Sequence, residues 1–483
     1  MQTIKLAFAA LLALSLLTSC SKNGDSTNAA NQPQSGNIFE HIFASRDATL
    51  SVLDMDGKPV ANAQILIGSA VGQPFPENYL STDASGVFIA PAAWKDSQMV
   101  TIVAANFVTA TYLQQTPHGQ SFQLHPNEAS AKYEVKGQGT GFKTVDNDNT
   151  IDFALMAPLM TRQTLLSFDL GMLISPQMDT ISVYGQSMQI PSNVSLPKQK
   201  EAYGFFPVTL DKPVFRMYFP SVGTHKVMAI RGQFPFKQVV KELQNNKQFV
   251  DLINYFSLQG GSIHDVAVTD ATQNQDLPVN ELVFNQSLPF HSSAVDSSNV
   301  LLAVALSPYQ GQYLLTDVKN VASNTDINMT VAAGAAPELL TVLQNRADGQ
   351  QMTSALAPFT ARVTPEMLPM MASPQVVSES DVKIASITAP STITPSATYA
   401  VLSTVQGQVV NGVVNVSHAW EVYSPTWETE IKLPQMPNVT LATGQKRWEV
   451  SLMGSDSNSS KTVDLGPRLL ETATHATHSA TTF

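Results

Sequence analysis

The sequence predicts an all-β protein, made of tandem β-sandwich domains with one or two short accessory helices. Apolar and polar residues alternate over short stretches, as at Leu50 and Val52, which is the period of a half-buried strand. Turn signals such as Asp56-Gly57 and Gly260-Gly261 separate these stretches. The 29 prolines scattered along the chain also disfavour long helices, because proline interrupts the helical hydrogen-bond ladder.

The composition limits the number of domains and the classes of binding partner that can be expected. The 483 residues allow about two to four domains, and 43% of them are hydrophobic, which suffices for packed cores. Removing residues 1–19, whose only charged side chain is Lys5, leaves 26 basic and 38 acidic side chains, a net charge of −12. No basic cluster interrupts this acidity, so neither nucleic acid nor general adhesion to anionic lipid is expected.

The first residues have the layout of an export signal. Lys5 precedes an apolar run, Leu6 to Leu17, that is shorter than the roughly 20 residues of a membrane-spanning helix. Leu17-Thr18-Ser19-Cys20 follows and contains the only cysteine of the chain. Disulfides and thiolate metal sites elsewhere in the protein are therefore excluded.

This layout resembles the lipobox of bacterial lipoproteins. The resemblance implies that residues 1–19 are removed as a signal peptide and that the Cys20 thiol receives a lipid, so that acyl chains hold the protein on a membrane. In Gram-negative lipoproteins, an aspartate directly after the lipidated cysteine tends to hold the protein at the inner membrane. The residue at this position is Ser21, so the resemblance implies a location at the outer membrane or the cell surface. Residues 20–45 are rich in Ser, Asn, Gln and Gly, which predicts a flexible tether between the lipid and the folded body.

Residues 46–128 carry a second resemblance. Gly57-Lys58-Pro59-Val60 opens a strand pattern with Ala63 and Ile65 on one face, and Thr82-Asp83-Ala84-Ser85-Gly86 marks a later turn. The pattern resembles the carboxypeptidase regulatory-like domain, a small transthyretin-like β-sandwich. The resemblance implies a non-catalytic module, and we expect immunoglobulin-like or transthyretin-like sandwiches in the rest of the chain as well.

The remaining chain divides by composition. Residues 129–380 are predicted to be a β-rich middle region of one or two domains, residues 381–456 a C-terminal β-sandwich region, and residues 457–483 a disordered polar tail. Two segments have the three- and four-residue apolar spacing of helices, namely Phe236 to Phe256 and Pro337 to Arg346.

An acidic segment is the candidate metal site. Asp146, Asp148 and Asp152 place hard oxygen ligands at alternating positions, as Ca²⁺ prefers. The alternative is a solvated loop, because Asp and Asn also favour turns and the glycine and distal glutamate of an EF-hand are missing. Calcium is the only cofactor that the sequence suggests.

Three aromatic residues near the C-terminus are the candidate binding residues. Trp420, Tyr423 and Trp427 would stack on sugar rings if a sheet exposes them, and the alternative is that they fill a sandwich core. Val409 to Val416, just before them, is predicted to be one strand.

His125-Pro126-Asn127-Glu128 has the spacing of a zinc-binding H-x-x-E pair. Zinc catalysis also needs a third ligand and a rigid, helix-rich catalytic domain, and the sequence indicates only about two helices. We therefore expect a strand-end turn at this position and assign no catalytic residue.

The preferred hypothesis is a non-enzymatic, lipid-anchored envelope or cell-surface protein with a binding, adhesion or scaffolding role. Its partners would be a membrane, through Cys20, and an envelope protein or a glycan. Two alternatives stay open. One is a carbohydrate-binding lipoprotein that uses the C-terminal aromatic residues, and the other is a hydrolase with an unrecognised site in 129–380.

Overall fold

Nearly all of the regular secondary structure among the described residues consists of β-strands, which confirms the predicted all-β class. The computed structural model describes residues 48–55, 57–127, 133–141, 150–159, 162–166, 178–183, 186–191, 204–207, 214–219, 222–245, 247–279, 281–310, 312–334, 336–347, 350–410, 413–456 and 472–483. The predicted signal peptide, Cys20 and the tether lie outside these residues. No helix among the described residues is long and apolar enough to cross a membrane.

The first seven strands are short, with three to seven residues each, because turns are closely spaced there. The strands of the first half of the chain are β1 (Thr49–Asp54), β2 (Gln64–Ile67), β3 (Tyr79–Ser81), β4 (Val87–Ile89), β5 (Gln98–Val103), β6 (Thr109–Gln115), β7 (Ser121–Leu124), β8 (Tyr133–Thr140), β9 (Thr150–Pro158), β10 (Met178–Val183), β11 (Gln186–Pro191), β12 (Gly204–Pro207), β13 (Val214–Phe219) and β14 (Gly223–Pro235). The helical segments are α1 (Arg162–Leu166), α2 (Phe236–Gln244), α3 (Phe249–Leu252) and a 3₁₀ turn (Ile253–Tyr255).

The remaining strands lie in the second half of the chain. They are β15 (Ser257–Val268), β16 (Gln273–Asn274), β17 (Leu277–Pro278), β18 (Leu282–His291), β19 (Asn299–Tyr309), β20 (Gln312–Val321), β21 (Asp326–Ala332), β22 (Glu338–Asn345), β23 (Met352–Pro358), β24 (Gln375–Ser378), β25 (Asp381–Lys383), β26 (Ile393–Val410), β27 (Val413–Ser424), β28 (Glu430–Lys432), β29 (Lys446–Asp456) and β30 (His475–Thr482).

One sheet of twelve strands runs through the molecule, and we call it the long sheet. Its order is β20-β19-β22-β23-β30-β29-β26-β27-β6-β5-β2-β3, so it takes strands from each of the three predicted globular regions. The joint between the N-terminal and C-terminal regions is the pairing of β6 with β27, which run parallel. The predicted domain boundaries stay predictions, but backbone hydrogen bonds cross them.

The N-terminal sandwich consists of the sheet β4-β1-β7 and the end of the long sheet, β6-β5-β2-β3. Leu50 and Phe122 from one layer and Ile65 from the other belong to one buried core, as the alternation of apolar residues predicts. Gly86 has φ +70° and leaves no room for a side chain, because a Cβ atom would lie 2.7 Å from the Val52 carbonyl oxygen. A glycine at this turn is therefore a packing requirement.

Other layers cover the rest of the long sheet. A six-stranded sheet, β12-β9-β14-β15-β18-β21, shares an apolar core with one face, as Ile230 and Leu302 illustrate. The small sheet β24-β25-β28 packs on the opposite face, where Val382 and Ile431 meet Trp448. The interior of the long sheet is consequently buried on both sides.

The two predicted helices have different outcomes. Phe236 to Phe256 is confirmed in part, because α2 starts directly after Pro235 and α3 and the 3₁₀ turn follow after a break near Lys247. Pro337 to Arg346 as a helix is wrong, since this segment is strand β22. Leu339 and Leu340 are buried in separate cores on opposite faces, and a strand buried on both faces shows the continuous apolar run that also fits a helix.

Two predictions about the C-terminal part are also wrong. Residues 475–482, expected in a disordered tail, form β30 between β23 and β29 in the middle of the long sheet. Polar side chains of this strand are hydrogen-bonded inside the fold; for example, the Thr477 hydroxyl accepts a hydrogen bond from the Met371 amide, whereas the buried hydroxyl of Ser479 has no partner among the described residues. Val409 to Val416 is not one strand, because β26 ends at Val410 and β27 begins at Val413.

Candidate functional site

A carboxylate lies buried where the N-terminal sandwich meets the long sheet. Glu421, on β27, is only 2% exposed. His125, directly after β7, places its Nδ1 atom 2.9 Å from Oε2 and 3.1 Å from Oε1 of this carboxylate. His418 places Nδ1 3.6 Å from Oε1. Together with Tyr399 and Tyr423, these residues are the Glu421 cluster.

Two tyrosine hydroxyls complete the surroundings of the carboxylate. Tyr423 Oη donates a hydrogen bond to Glu421 Oε2 over 2.8 Å, and Tyr399 Oη donates one to Oε1 over 3.2 Å. The two rings lie 5.1 Å apart between centroids, and Tyr112 of β6 stacks on Tyr423 at 5.3 Å. The hydroxyl of Tyr112 donates to the backbone carbonyl of Gln123, so β6 and β7 are both connected to the cluster.

Strand register explains why these residues meet. Tyr399 on β26 is directly opposite Tyr423, and Glu421 follows two residues away on the same face of the sheet. The register shifts between Leu402 and Ser403, opposite the segment that contains His418. Such a bulge re-aims the following side chains, and it brings His418 to the face of Glu421.

A second carboxylate lies on the same face of the sheet, two strands away. Val401 of β26 is opposite Glu421 on one side and opposite Glu449 of β29 on the other. Arg447 donates from Nε to Glu449 Oε1 over 2.8 Å and from Nη1 to the side chain of Gln350 over 2.7 Å. Glu421 and Glu449, each with its own basic partners, therefore lie on either side of Val401 in the middle of the long sheet.

The electrostatics of the two carboxylates follow from their neighbours. Burial acts to raise the pKa of Glu421, but the charge of His125 and hydrogen bonds from His125 and His418 outweigh burial and hold the pKa well below its usual range. Burial likewise acts against ionisation of Glu449, yet the charges of Arg447 and the nearby histidines lower its pKa to about 2. Both carboxylates are thus negatively charged at neutral pH.

The tyrosines of the cluster stay neutral donors. Burial, together with the charge of Glu421, raises the pKa of Tyr423 and of Tyr112 well above its ordinary value. A hydrogen bond to a charged carboxylate contributes about 1.5–3 kcal/mol, more than a bond between neutral groups. The arrangement is therefore suited to holding the end of β7 against β27, which fixes the sheet β4-β1-β7 of the N-terminal sandwich on the long sheet.

The predicted sugar-binding residues lie in this part of the structure, but their rings are not exposed as a row. Trp420 is 3% exposed and donates from Nε1 to the Thr111 hydroxyl over 2.9 Å, and Tyr423 is equally buried. Trp427 is half-buried and donates to the Met453 carbonyl over 2.7 Å. The prediction of sugar stacking is wrong for Trp420 and Tyr423, because a buried ring offers no free face.

The calcium prediction has a mixed outcome. Asp146 and Asp148 lie outside the described residues, where calcium stays a prediction. Asp152 is 1% exposed, and it accepts a hydrogen bond from Gln233 over 2.6 Å and lies 3.6 Å from a guanidinium nitrogen of Arg231. The structure thus places Asp152 in an ion pair, and a guanidinium beside it opposes a bound cation. Among the described residues, no three His, Cys, Asp or Glu side chains are grouped to hold a metal ion.

The zinc-like spacing is not supported by the contacts of its histidine. His125 is engaged with Glu421 at the end of β7, and Glu128 lies outside the described residues. The expected strand-end position of His125 is confirmed, because Leu124 is the last residue of β7.

No protein-family model and no curated protein sequence matches the chain. Solved structures with some likeness include the major pilin subunit BcpA of Bacillus cereus, with 8% identity and a TM-score of 0.14 over 65% of this chain and 96% of that chain. A putative adhesin from Bacteroides ovatus has 8% identity and a TM-score of 0.15 over 49% of this chain and 90% of that chain. The pilus adhesin SpaC from Lactobacillus rhamnosus GG has 9% identity and a TM-score of 0.15 over 80% of this chain and 44% of that chain. Similarity this low does not bear on function.

Sequence reasoning missed the central residue of the cluster. Glu421 stands in an otherwise apolar segment of β27, Ala419-Trp420-Glu421-Val422-Tyr423. A lone acidic residue between large apolar neighbours is a signal for a buried, paired charge. The signal does not name the partner, because His125 is distant in sequence and only the parallel joint of β6 and β27 brings it near.

Proposed function

We propose that this protein is a lipid-anchored envelope or cell-surface protein whose β-body acts as a rigid scaffold for adhesion. The anchor is Cys20, which the lipobox resemblance assigns, and the tether of residues 20–45 leads from it to the first strand, β1. An anchored body that holds a partner must carry force from its binding surface back to the lipid. The observation that supports the proposal is the continuity of hydrogen bonds along that path.

The path begins in the N-terminal sandwich. β1 pairs in parallel with β7 from Ser51 to Asp54, so a pull on the tether loads these backbone hydrogen bonds in shear. β7 ends at Leu124, and His125 then bonds to Glu421 on β27. A pull of the tether on β1 is therefore transmitted to the long sheet through a single intervening strand, β7.

A second connection runs beside the first. β6 pairs in parallel with β27 from Thr109 to Tyr112, and the Trp420 indole also donates to the Thr111 hydroxyl. Gln114 donates from its side chain to Glu428, just after β27, over 2.8 Å. The sandwich is thus joined to the long sheet by backbone pairing, by side-chain hydrogen bonds and by a buried charge, which favours movement as one body.

The anchor is tested in cells that carry the full chain. Cys20→Ala should abolish incorporation of labelled palmitate and release the protein from the membrane fraction, whereas the tether variant Ser26→Ala should keep both. Surface location is read from protease treatment of intact cells. Continued membrane fractionation of Cys20→Ala would contradict the anchor.

The scaffold is tested by pulling on the chain through its tether with an atomic force microscope. The sandwich and the long sheet should unfold together, at a force well above that needed to stretch the tether. In Glu421→Gln the sandwich should detach first, at lower force. If the sandwich of the unaltered protein peels away on its own before the long sheet yields, the proposed scaffold is wrong.

A further inference from the structure

Three side chains converge where β6 meets the turn that follows β27. The amide nitrogen Nε2 of Gln114 lies 2.6 Å from Oγ1 of Thr426 and 2.8 Å from Oε1 of Glu428. The Thr426 hydroxyl in turn donates to the same carboxylate oxygen over 3.1 Å. An amide, a hydroxyl and a carboxylate are therefore in mutual contact, although 312 positions separate the first from the second in the sequence. We call Gln114, Thr426 and Glu428 the amide site.

The backbone of β6 is distorted where it presents Gln114. Between Tyr112 and Gln115, β6 contains one residue more than the paired segment of β5, which is a β-bulge. Gln114 itself has φ +58°, a left-handed conformation that is unfavourable for a residue with a Cβ atom. Strain of this kind is concentrated at functional sites, and a bulge re-aims the side chain that it carries. The distortion therefore accompanies the contact of the amide with Thr426.

The turn after β27 holds the other two groups in place. The Thr398 hydroxyl donates to the backbone carbonyl of Thr426 over 2.7 Å and accepts from the backbone amide of Glu428 over 2.9 Å. The Ser424 hydroxyl donates to Oε1 of Glu428 over 2.6 Å. Thr398 and Ser424 are both fully buried. The hydroxyl and the carboxylate of the amide site are thus positioned by groups that are themselves fixed inside the fold.

These three groups are the ones that acyl transfer from an amide to a hydroxyl requires. A hydroxyl becomes a nucleophile when an adjacent base takes its proton, and Glu428 is within hydrogen-bond reach of the Thr426 hydroxyl. The amide carbon of Gln114 is one bond of about 1.3 Å from Nε2, so it lies at most about 3.9 Å from Thr426 Oγ1. Reacting atoms must approach to about 3–3.5 Å. A small rotation of the exposed Gln114 side chain is sufficient for that approach.

We propose that the protein joins Thr426 to Gln114 by an ester bond that it forms itself. Thr426 Oγ1 attacks the side-chain carbon Cδ of Gln114 while its proton passes to Glu428, and the C–N bond of the amide then breaks. Glu428 delivers the proton to the leaving nitrogen, which it already contacts, and the nitrogen departs as ammonia. One C–O bond replaces one C–N bond, the carboxylate is regenerated, and no oxidant or reductant takes part. Because Gln114 is exposed, the ammonia escapes to solvent, which drives the reaction forward.

The ester ties the N-terminal sandwich to the long sheet covalently. It lies just beyond the last pair of the parallel joint, Tyr112 with Tyr423. A bond between distant residues also restricts the unfolded chain, as a long-range disulfide does. The only cysteine of the chain is Cys20, so a disulfide is not available for this purpose. The proposal goes beyond the scaffold role and does not depend on the lipid anchor, because the reaction involves the three side chains of the amide site alone.

The test is peptide mapping of the full chain, which is extracted in detergent, denatured and digested with trypsin. Cleavage after lysine gives residues 96–132, which contain Gln114, and residues 384–432, which contain Thr426. We expect one joined peptide, lighter than the two together by one ammonia. Mild alkali, which hydrolyses esters far faster than amides, should separate it and leave a carboxyl group at position 114. Two separate peptides of unaltered mass overturn the proposal, and so does a joined peptide that resists alkali.

Variants assign the role of each group. Thr426→Val removes the nucleophile and should abolish the joined peptide, whereas Thr426→Ser keeps a hydroxyl and should retain it. Thr440→Val, at an exposed threonine outside the amide site, is the matched control and should also retain it. Glu428→Gln removes the base and should slow joining about a hundredfold or more in pulse-labelled chains, the usual contribution of a general base. A joined peptide in Thr426→Val, or an unchanged rate in Glu428→Gln, overturns the proposed reaction.

Discussion

Two buried carboxylates in this protein, those of Glu421 and Asp152, differ in the number of hydrogen-bond donors and positive charges around them. Glu421, at the joint of the N-terminal sandwich and the long sheet, is surrounded by two histidines and two tyrosine hydroxyls. Asp152, on β9 in the six-stranded sheet, has one hydrogen bond from Gln233 and an Arg231 nitrogen at 3.6 Å. Its Oδ2 atom has no hydrogen-bond partner among the described residues.

The pKa values of the two groups shift in opposite directions for that reason. Donors and positive charge overcome burial at Glu421 and lower its pKa. Burial dominates at Asp152 and raises its pKa, although Gln233 and Arg231 partly oppose the effect. Burial alone thus does not decide whether an acidic side chain stabilises a fold, because the number and geometry of its donors decide the sign.

The largest expected effect is at the joint. Glu421→Gln removes the charge that both histidines face, and it should destabilise β26 and β27 by about 3 kcal/mol, as breaking a buried ion pair does. The measurement is native-state hydrogen exchange of the β27 amides. Glu430→Gln, which removes an exposed ion pair with Lys432, is the matched control and should change stability far less, because solvent and salt screen an exposed pair. Equal effects of the two variants would contradict the importance of the joint.

The stabilisation by Glu421 should depend on pH. Because the folded-state pKa lies below the unfolded value of about 4.3, the contribution is fully present above that value and is lost as the pH falls below it. The urea midpoint of the unaltered protein relative to Glu421→Gln should therefore decline as the pH falls from about 5 into stronger acid. An advantage that grows over this acid range would reverse the assigned sign.

Removing one donor should have a smaller effect than removing the carboxylate. Tyr423→Phe deletes the 2.8 Å hydrogen bond to Glu421 and should cost about 2 kcal/mol, since bonds to charged groups are the stronger ones. Tyr399→Phe deletes the longer bond and should cost less. Tyr79→Phe, on the half-buried edge strand β3, serves as control, and thermal unfolding of the three variants gives the order.

The smallest effect, with the opposite sign, is expected at Asp152. Asp152→Asn should be neutral or stabilising by up to about 1 kcal/mol at neutral pH, because a poorly partnered buried charge is replaced by an amide that can still accept from Gln233. The raised pKa means that Asp152 favours the fold only in acid, so the gain should vanish below about pH 3.9, where the carboxyl is protonated in both states. Strong destabilisation at neutral pH would show that the Arg231 ion pair matters more than the desolvated charge.

The strand-rich class was predictable from the sequence because its signals are local. Alternation at Leu50 and Val52 and the turn at Gly86 act over a few residues, and both have the expected structural role. Pro235 likewise marks the start of α2. These features depend on backbone sterics and on one buried face, which neighbouring residues alone determine.

The errors arise where distant strands decide the structure. Leu339 and Leu340 have a spacing that fits a helix, and only burial on both faces of the long sheet makes them a strand. The polar composition of residues 475–482 predicts disorder, yet their backbone pairs with β23 on one side and with β29 on the other. Val409 to Val416 contains Asn411-Gly412, a strong hairpin signal that splits the predicted strand.

For the candidate site, the sequence indicates which residues are noteworthy but not which contacts they make. The sequence draws attention to the aromatic rings of Trp420 and Tyr423, whereas in the structure their polar atoms, an indole N–H and a phenol hydroxyl, make hydrogen bonds inside the fold. The partner His125 carried a zinc-like spacing that belongs to a different chemistry. Its actual role depends on the parallel pairing of β6 with β27, which sequence spacing does not encode.

The central position of β30 has a consequence for the order in which the long sheet can form. β23 and β29 are neighbours only through this strand, so a chain that ends at Asp456 presents two unpaired edges. The long sheet closes only after residues 475–482 have been added to the chain, and closure links segments that are far apart in the sequence, which makes folding slow. During synthesis, the strands that precede β30 must therefore be protected from aggregation until this strand is available to pair with them.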